Sequence, residues 1–327
     1  MKQLETRASD LITRSIADST RRQYQSYVTT FLNWCRNVNL VAFPLHEHNL
    51  VLYVSHLSVS ASYSSVKVNI AALKFYALAN GNEFSDFKRL YLVMRGIRRS
   101  QGRRFSKQKR LPITPQVLLK IKRSLFNSSV VYNDKLMLWA AMLTAFFGFL
   151  RVSEYASPSS TSSDPQATLY YRDALTSPDN NTITIRIKVS KTDPFRAGTD
   201  IKLVRNGSEL CPVSAMQKFL VARGQKAGPL FVFANGKYLT RYYISNAMKR
   251  FSGITANLSS HSFRIGAATT LASQGYPRWL IQSLGRWTSD CFRDYIRIPE
   301  ATIAQASSAL TRETENSVAF DPDVVRA

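Results

Sequence analysis

The run LMLWAAMLTAFFGFL, Leu136 to Leu150, most restricts what this chain can fold into. A helix that crosses a bilayer needs roughly 20 apolar residues. This run is shorter, so it reads as a helix buried in a protein core, and a soluble protein is expected. With 327 residues the chain has room for two domains of ordinary size. Its composition, 45% hydrophobic with 13 glycines and 12 prolines, supplies core material and no signature of disorder.

Before that run the period is helical. From Ser19, taken as an N-cap, Tyr24, Tyr27, Val28, Phe31 and Cys35 fall on one helical face. Further helices are expected over His48–Leu57, Ser64–Asn80 (Val66, Ile70, Leu73 and Ala77 inward, Gly81 as stop) and Asp86–Arg98. Residues 1–100 therefore read as an all-helical bundle. After Pro112 and Pro115, helices are expected over Pro115–Leu125 and Asp134–Phe149. In TITIRIKV, Ile183, Ile185, Ile187 and Val189 alternate with polar neighbours, the period of a half-buried strand, and SKTDPFRAGTD then turns into IKLV as a hairpin. Helical patterns return over Val213–Arg223, Thr240–Phe251 and His261–Gln274. A mobile tail is expected from Thr311.

Charge narrows the partner. The formal net charge of +23 exceeds what solubility requires and makes a polyanion, first of all nucleic acid, the expected ligand. A membrane surface is the weaker alternative, because MKQLETRASD carries neither a myristoylation site nor a signal-peptide apolar region. RGIRRSQGRRFSKQKR holds eight basic residues and no acid: Arg95, Arg98, Arg99, Arg103, Arg104, Lys107, Lys109 and Arg110. Its ordinary reading is a solvated linker; joining two domains of a cationic chain, it reads better as a linker that follows a phosphate backbone. Arg21 and Arg22, at the basic start of the helix from Ser19, join the DNA-binding set. Cys35, Cys211 and Cys291 lie at no disulfide or metal spacing, and His46, His48 and His56 form no zinc pattern, so no metal or cofactor is expected.

HSFR is a weak motif by itself: on a helix His261 and Arg264 share a face, and Gly266, Ala267 and Ala268 behind them permit close packing. The order of the whole set is stronger. GFLRVSEY puts Arg151 at the end of the apolar helix, SKTD puts Lys191 at a strand-to-turn junction, HSFR follows, GRW ends a short helix, and DYIR places Tyr295 after Trp287. In this order the sequence resembles the tyrosine recombinases, the lambda-integrase family. The wording FGFLRVSE, SKTDPFRAG, HSFRIGAATT and LGRWTSDCFRDYIR is most similar to recombinases of eukaryotic DIRS-, Ngaro- and Crypton-type elements.

The resemblance implies a mainly helical protein with a small β-sheet. A SAM-like helical core-binding domain (1–100), a basic linker (101–112) and an α+β catalytic domain (113–312) would close on duplex DNA as a C-shaped clamp, followed by a tail (313–327). It implies that Arg151 and Arg264 grip the scissile phosphate, since guanidinium stays charged and offers paired donors. Tyr295 would be the nucleophile, His261 the base or proton shuttle, Lys191 the acid for the leaving 5′-oxygen, with Lys188 its competitor, and Glu154 an orienter of Arg151. Trp287 departs from the histidine of many family members; an indole N–H donates one hydrogen bond and carries no proton. Arg286 is a further phosphate contact or a solvent-facing side chain. A homotetramer on two DNA sites is implied, with Ala301–Thr311 as the helix exchanged between neighbours, and a nuclear location if the chain is eukaryotic. The rivals are a type IB topoisomerase, an element-derived DNA-binding protein that has lost catalysis and, more distantly, a two-carboxylate metal nuclease. Each site residue also has a structural rival: Tyr295 or Trp287 as core, Arg151 as a cation at a helix C-terminus.

Overall fold

The computed structural model describes residues 1–327 apart from 83–86, 103–108, 192, 194, 256, 295, 297–299 and 311–327; for 291, 294 and 300–302 it describes the backbone alone. The chain divides into two compact units, Met1–Gln108 and Lys109–Ala327.

The first unit is helical: α1 (Lys2–Arg14), α2 (Asp18–Asn37), α3 (Glu47–Ser58), α4 (Tyr63–Ala79) and α5 (Lys88–Gln101). Val28, Phe31 and Cys35 of α2 meet Leu50, Tyr53 and Val54 of α3 and the Val66, Ile70, Leu73, Ala77 stripe of α4 in one core. One expectation is corrected, and one helix had no sequence reading. Ser19 is not the cap of α2: the helix starts at Asp18 after Ala17, and Asp18 pairs with Arg21 at 2.8 Å within the first turn. Helix α1 was not anticipated, because it buries no residue and so has no inward face to betray it. Ser62 caps α4, its hydroxyl accepting from the amide of Ser65.

The second unit is built on the apolar run. Helices α6 (Pro115–Phe126) and α7 (Tyr132–Phe147) come first, and Leu136 through Phe146 of α7 are all buried. A helix without a polar face needs neighbours around it. Here α6 and two later helices, α9 (Pro212–Arg223) and α11 (Ser262–Ser273), pack against it. Between α7 and α9 stand a short helix α8 (Val152–Tyr155) and an antiparallel sheet, β1 (Ala174–Thr176), β2 (Thr182–Ile187) and β3 (Thr199–Val204), in that order. Ile183 pairs with Leu203 and Ile187 with Thr199, and the three isoleucines of β2 are buried as their alternation requires. The strand stops at Ile187, short of the expected Val189. The third strand β1 was too short to show a period. Helices α10 (Arg241–Ser252), α12 (Arg278–Gly285) and α13 (Glu300–Leu310) complete the unit. No helix among the described residues is long and apolar enough to cross a membrane.

The stretch before α6 is docked on α11. The amide of Leu111 donates to Asn257 O and that of Ile113 to Ser262 O, each at 3.0 Å. Gly266 makes this possible, since a Cβ there would lie 1.8 Å from the carbonyl oxygen of Ile113. Gly266→Ala gains about 1 kcal/mol of helix propensity but must push a buried backbone away. Overpacking of that kind costs about 1–3 kcal/mol. We expect a net loss of stability in urea unfolding; a gain would show that the contact yields freely.

Candidate active site

The end of α7 sets up the site. Gly148 caps the helix, and Phe149 turns into the left-handed region at φ 50°. This corrects the sequence-based placement of Arg151: it does not close the apolar helix but is the N-cap of α8. Its side chain lies 17% exposed, on the next turn of chain.

Glu154, 2% exposed, is the hub. Its Oε2 accepts from the amide of Arg151 at 2.8 Å and from Nη2 of Arg286 at 2.9 Å, while Oε1 accepts from Nη1 of Arg151 at 3.1 Å. Burial pushes its pKa up, but Arg286, the Arg151 amide and the Arg151 guanidinium outweigh that and hold it below the ordinary carboxylate range. Nη1 of Arg151 also donates to Ser190 Oγ at 3.0 Å, which ties α8 to the turn after β2.

Arg264 enters from α11 and is 1% exposed. Nη1 donates to Phe149 O at 2.8 Å, and Nη2 donates to Gly285 O. Its guanidinium carbon lies 4.3 Å from the centre of the Trp287 ring, a stacked cation–π contact. Arg264 is thus a buried, fixed charge rather than a surface clamp. Arg286 shares the Phe149 carbonyl, its Nη2 at 3.4 Å. At 14% side-chain exposure it is not the solvent-facing residue that was one of its two sequence readings. Three guanidiniums from separate stretches therefore form one network, linked by a carboxylate and a carbonyl.

His261 is the N-cap residue of α11. Its pKa falls from 6.5 to about 4, first through burial, then through the positive charges of Arg110, Arg264, Arg151 and Arg241. Imidazole is therefore neutral here at pH 7. Arg241, at the start of α10, was missed in the sequence; only its position beside the cap of α11 reveals it. The two lysine candidates separate clearly. Lys188 is bound to Asp173 at 2.5 Å and donates to the carbonyls of Pro165 and Thr168. Lys191 is exposed in the turn, next to the Ser190 that meets Arg151.

Trp287 is 7% exposed and packs against Phe149 and Phe292 as well as Arg264. Gly285 admits the ring, since a Cβ there would lie 1.6 Å from it. Tyr295 lies outside the described residues, as do Arg103, Arg104 and Lys107. Arg95, Arg98 and Arg99 are exposed on α5, Arg21 and Arg22 on α2, and Lys109 and Arg110 at the start of the second unit. Among the described residues no group of three His, Cys, Asp or Glu side chains is placed to hold a metal, the histidines 46, 48 and 56 included.

No protein-family model and no curated protein matches this chain. Solved structures do. A Tn1549 transposon integrase in complex with transposon right-end DNA is 15% identical with a TM-score of 0.59, over 91% of this chain and 95% of that one. A lambda integrase dimer bound to a core site is 16% identical with a TM-score of 0.55, over 98% of each chain. The XerH site-specific recombinase in a post-cleavage complex with its difH substrate is 17% identical with a TM-score of 0.57, over 83% of this chain and 74% of that one. The fold, mainly helical with one small sheet, is that of the lambda-integrase-like tyrosine recombinases.

Two outcomes test the electrostatics. Glu154→Gln leaves two buried cations without their counter-charge, and removing one partner of a buried pair costs about 3–5 kcal/mol. Urea unfolding at pH 7 should show a loss of that order; a change under about 1 kcal/mol would mean that the arginines relax into solvent. For His261, proton NMR should give a titration midpoint of about 4, and Arg110→Ala should raise it, since less positive charge then opposes the imidazolium. Because the native state binds fewer protons than the unfolded chain between about 4 and 6.5, this residue's effect is a loss of stability as pH falls through that window and none above it.

Proposed function

We propose that the chain is a site-specific DNA recombinase that cuts and rejoins duplex DNA through a 3′-phosphotyrosine on Tyr295, without metal or ATP. One observation carries this reading: in a fold shared with tyrosine recombinases, Arg151 from the start of α8 and His261 and Arg264 from the start of α11 gather in one cationic cluster. A five-coordinate phosphorus carries extra negative charge, and preorganised cations stabilise it without reorganising at the moment of reaction. Arg151 supplies the more exposed guanidinium and Arg264 the buried charge.

A phenol has a pKa of about 10, so its proton must leave as it attacks. Neutral His261 can accept it, and the incoming phosphate, by adding negative charge beside the imidazole, raises its basicity when the proton has to move. Lys191 would protonate the leaving 5′-oxygen; its exposure supports this, as does the commitment of Lys188 to Asp173. The phosphotyrosine keeps the bond energy, and attack by another strand's 5′-hydroxyl reseals the backbone.

Double-stranded DNA is the proposed partner. The net charge of +23 and the exposed arginines of α2 and α5 support it, and the solved relatives above were captured on DNA. The clamp, the homotetramer on two sites, the docking of α13 on a neighbour and the nuclear location are part of the same proposal. The assignment to DIRS-, Ngaro- or Crypton-type elements rests on the sequence motifs alone.

Covalent capture on a library of nicked duplexes tests the reading. Wild type should form a protein–DNA adduct, in EDTA as well, and Tyr295→Phe should form none. Equal adduct from both, or none from wild type, would sink the assignment. Strand exchange between two captured sites then separates a recombinase from a topoisomerase, which would relax supercoils and yield no recombinant.

A further inference from the structure

Building on that proposed chemistry, we infer that Arg286, rather than Trp287, supplies the third donor to the scissile phosphate, and that Trp287 is a positioning residue that holds Arg264. The resemblance gives this role to the indole. The geometry divides the two neighbours differently.

Arg286 follows α12 in the left-handed conformation, φ 54° and ψ 47°. That cap turns its side chain back onto the network: Nη2 meets Glu154 and the Phe149 carbonyl, which Arg264 also uses. Its Nε and Nη1 are buried, and among the described residues neither has a hydrogen-bond acceptor. A buried donor left without a partner costs about 1–3 kcal/mol, more when charged. An arrangement that tolerates two such donors on one guanidinium suits an anion that arrives with its own acceptors. The same side chain borders an open cavity of about 450 Å³, whose wall includes Ser190, Thr199, Gln282 and Thr288. Asp193, the acid in that wall, is turned onto the amides of Ala197 and Gly198. Ser190 links the cavity to Arg151, so an anion seated there lies between two of the three guanidiniums.

Trp287 borders the same cavity, but the contacts of its ring differ. Its ring fills the space that Gly285 leaves, stacks on the Arg264 guanidinium and touches Phe149 and Phe292. These contacts are of its aromatic faces and edges, and they position the charge beside it.

The test pairs two substrates in covalent capture: the ordinary phosphodiester, and one whose scissile phosphate carries a methyl group in place of a charged oxygen. Arg286→Ala should lose about 100-fold in cleavage of the phosphodiester, the usual effect of removing one transition-state donor. On the uncharged methylphosphonate that loss should shrink by about tenfold or more, because there is less charge to stabilise. Arg286→Lys, which keeps a cation opposite Glu154, guards against misfolding and should show a smaller loss with the same substrate dependence. Trp287→Phe, which keeps a ring for Arg264 but removes the indole N–H, should cleave the phosphodiester at close to the wild-type rate. Arg286 variants that cleave like wild type, or whose defect is the same on both substrates, overturn the inference alone. So does a Trp287→Phe loss as large as that of Arg286→Ala, since the ring that holds Arg264 is kept and only the indole N–H is gone. Absence of any wild-type adduct removes the recombinase reading and this inference with it.

Discussion

The buried carboxylate of Glu154 is the interaction on which the second unit's arginine network rests. Two guanidiniums, those of Arg151 and Arg286, share it, and the amide of Arg151 adds a third donor. Without that charge the two cations would repel each other in a partly dry site, where Coulomb energies are several times those in water. With it, they are fixed side by side while a net positive charge remains. A buried ion pair is weak support for stability, since desolvation offsets much of the attraction. Its value here is geometric: it sets the spacing of charges that a phosphate would meet.

The backbone makes that spacing possible at four points. Phe149 and Arg286 both adopt positive φ, near 50°, a conformation that costs a non-glycine residue of order 1 kcal/mol or more. In return Phe149 provides the carbonyl that Arg264 and Arg286 share, and Arg286 folds back over the end of its own helix. Gly285 and Gly266 supply the other requirement, close approach. One admits the Trp287 ring, and the other lets the Leu111–Ile113 segment lie on α11, which brings Arg110 near enough to act on His261. These are local departures from regular structure, concentrated where the side chains of the network meet.

What the sequence disclosed follows from the same distinction. Periodicity exposed the elements that bury a face: the α4 stripe, the alternating isoleucines of β2 and the wholly apolar α7. It could not expose α1, which buries nothing, or β1, which has too few residues for a period. It also ran α7 on past Phe147, because Phe149 and Leu150 are apolar and hydropathy carries no record of a left-handed φ. Of the site, the order of the motifs was enough to single out Arg151, Glu154, His261 and Arg264, while the choice of Lys191 over Lys188 rested on the family resemblance. The partition between Arg286 and Trp287 was hidden, because neighbours in sequence diverge only once the cap conformation is known. Arg241 gave no signal, since its effect on His261 exists only through space, between residues 20 apart in sequence.

The charge state of the cluster connects this structure to its proposed work. Three arginines and one glutamate leave positive charge uncompensated; burial first, and then the charges of Arg110, Arg264, Arg151 and Arg241, keep His261 neutral. An imidazole so depressed is by itself a weak base. Under the proposed function, a phosphate diester would bring one negative charge into the cluster and so favour the imidazolium there. Substrate binding and base strength would then be coupled by Coulomb's law alone, with no movement of the protein required. The same coupling would run in reverse after transfer, the cations again disfavouring the imidazolium once the phosphate left.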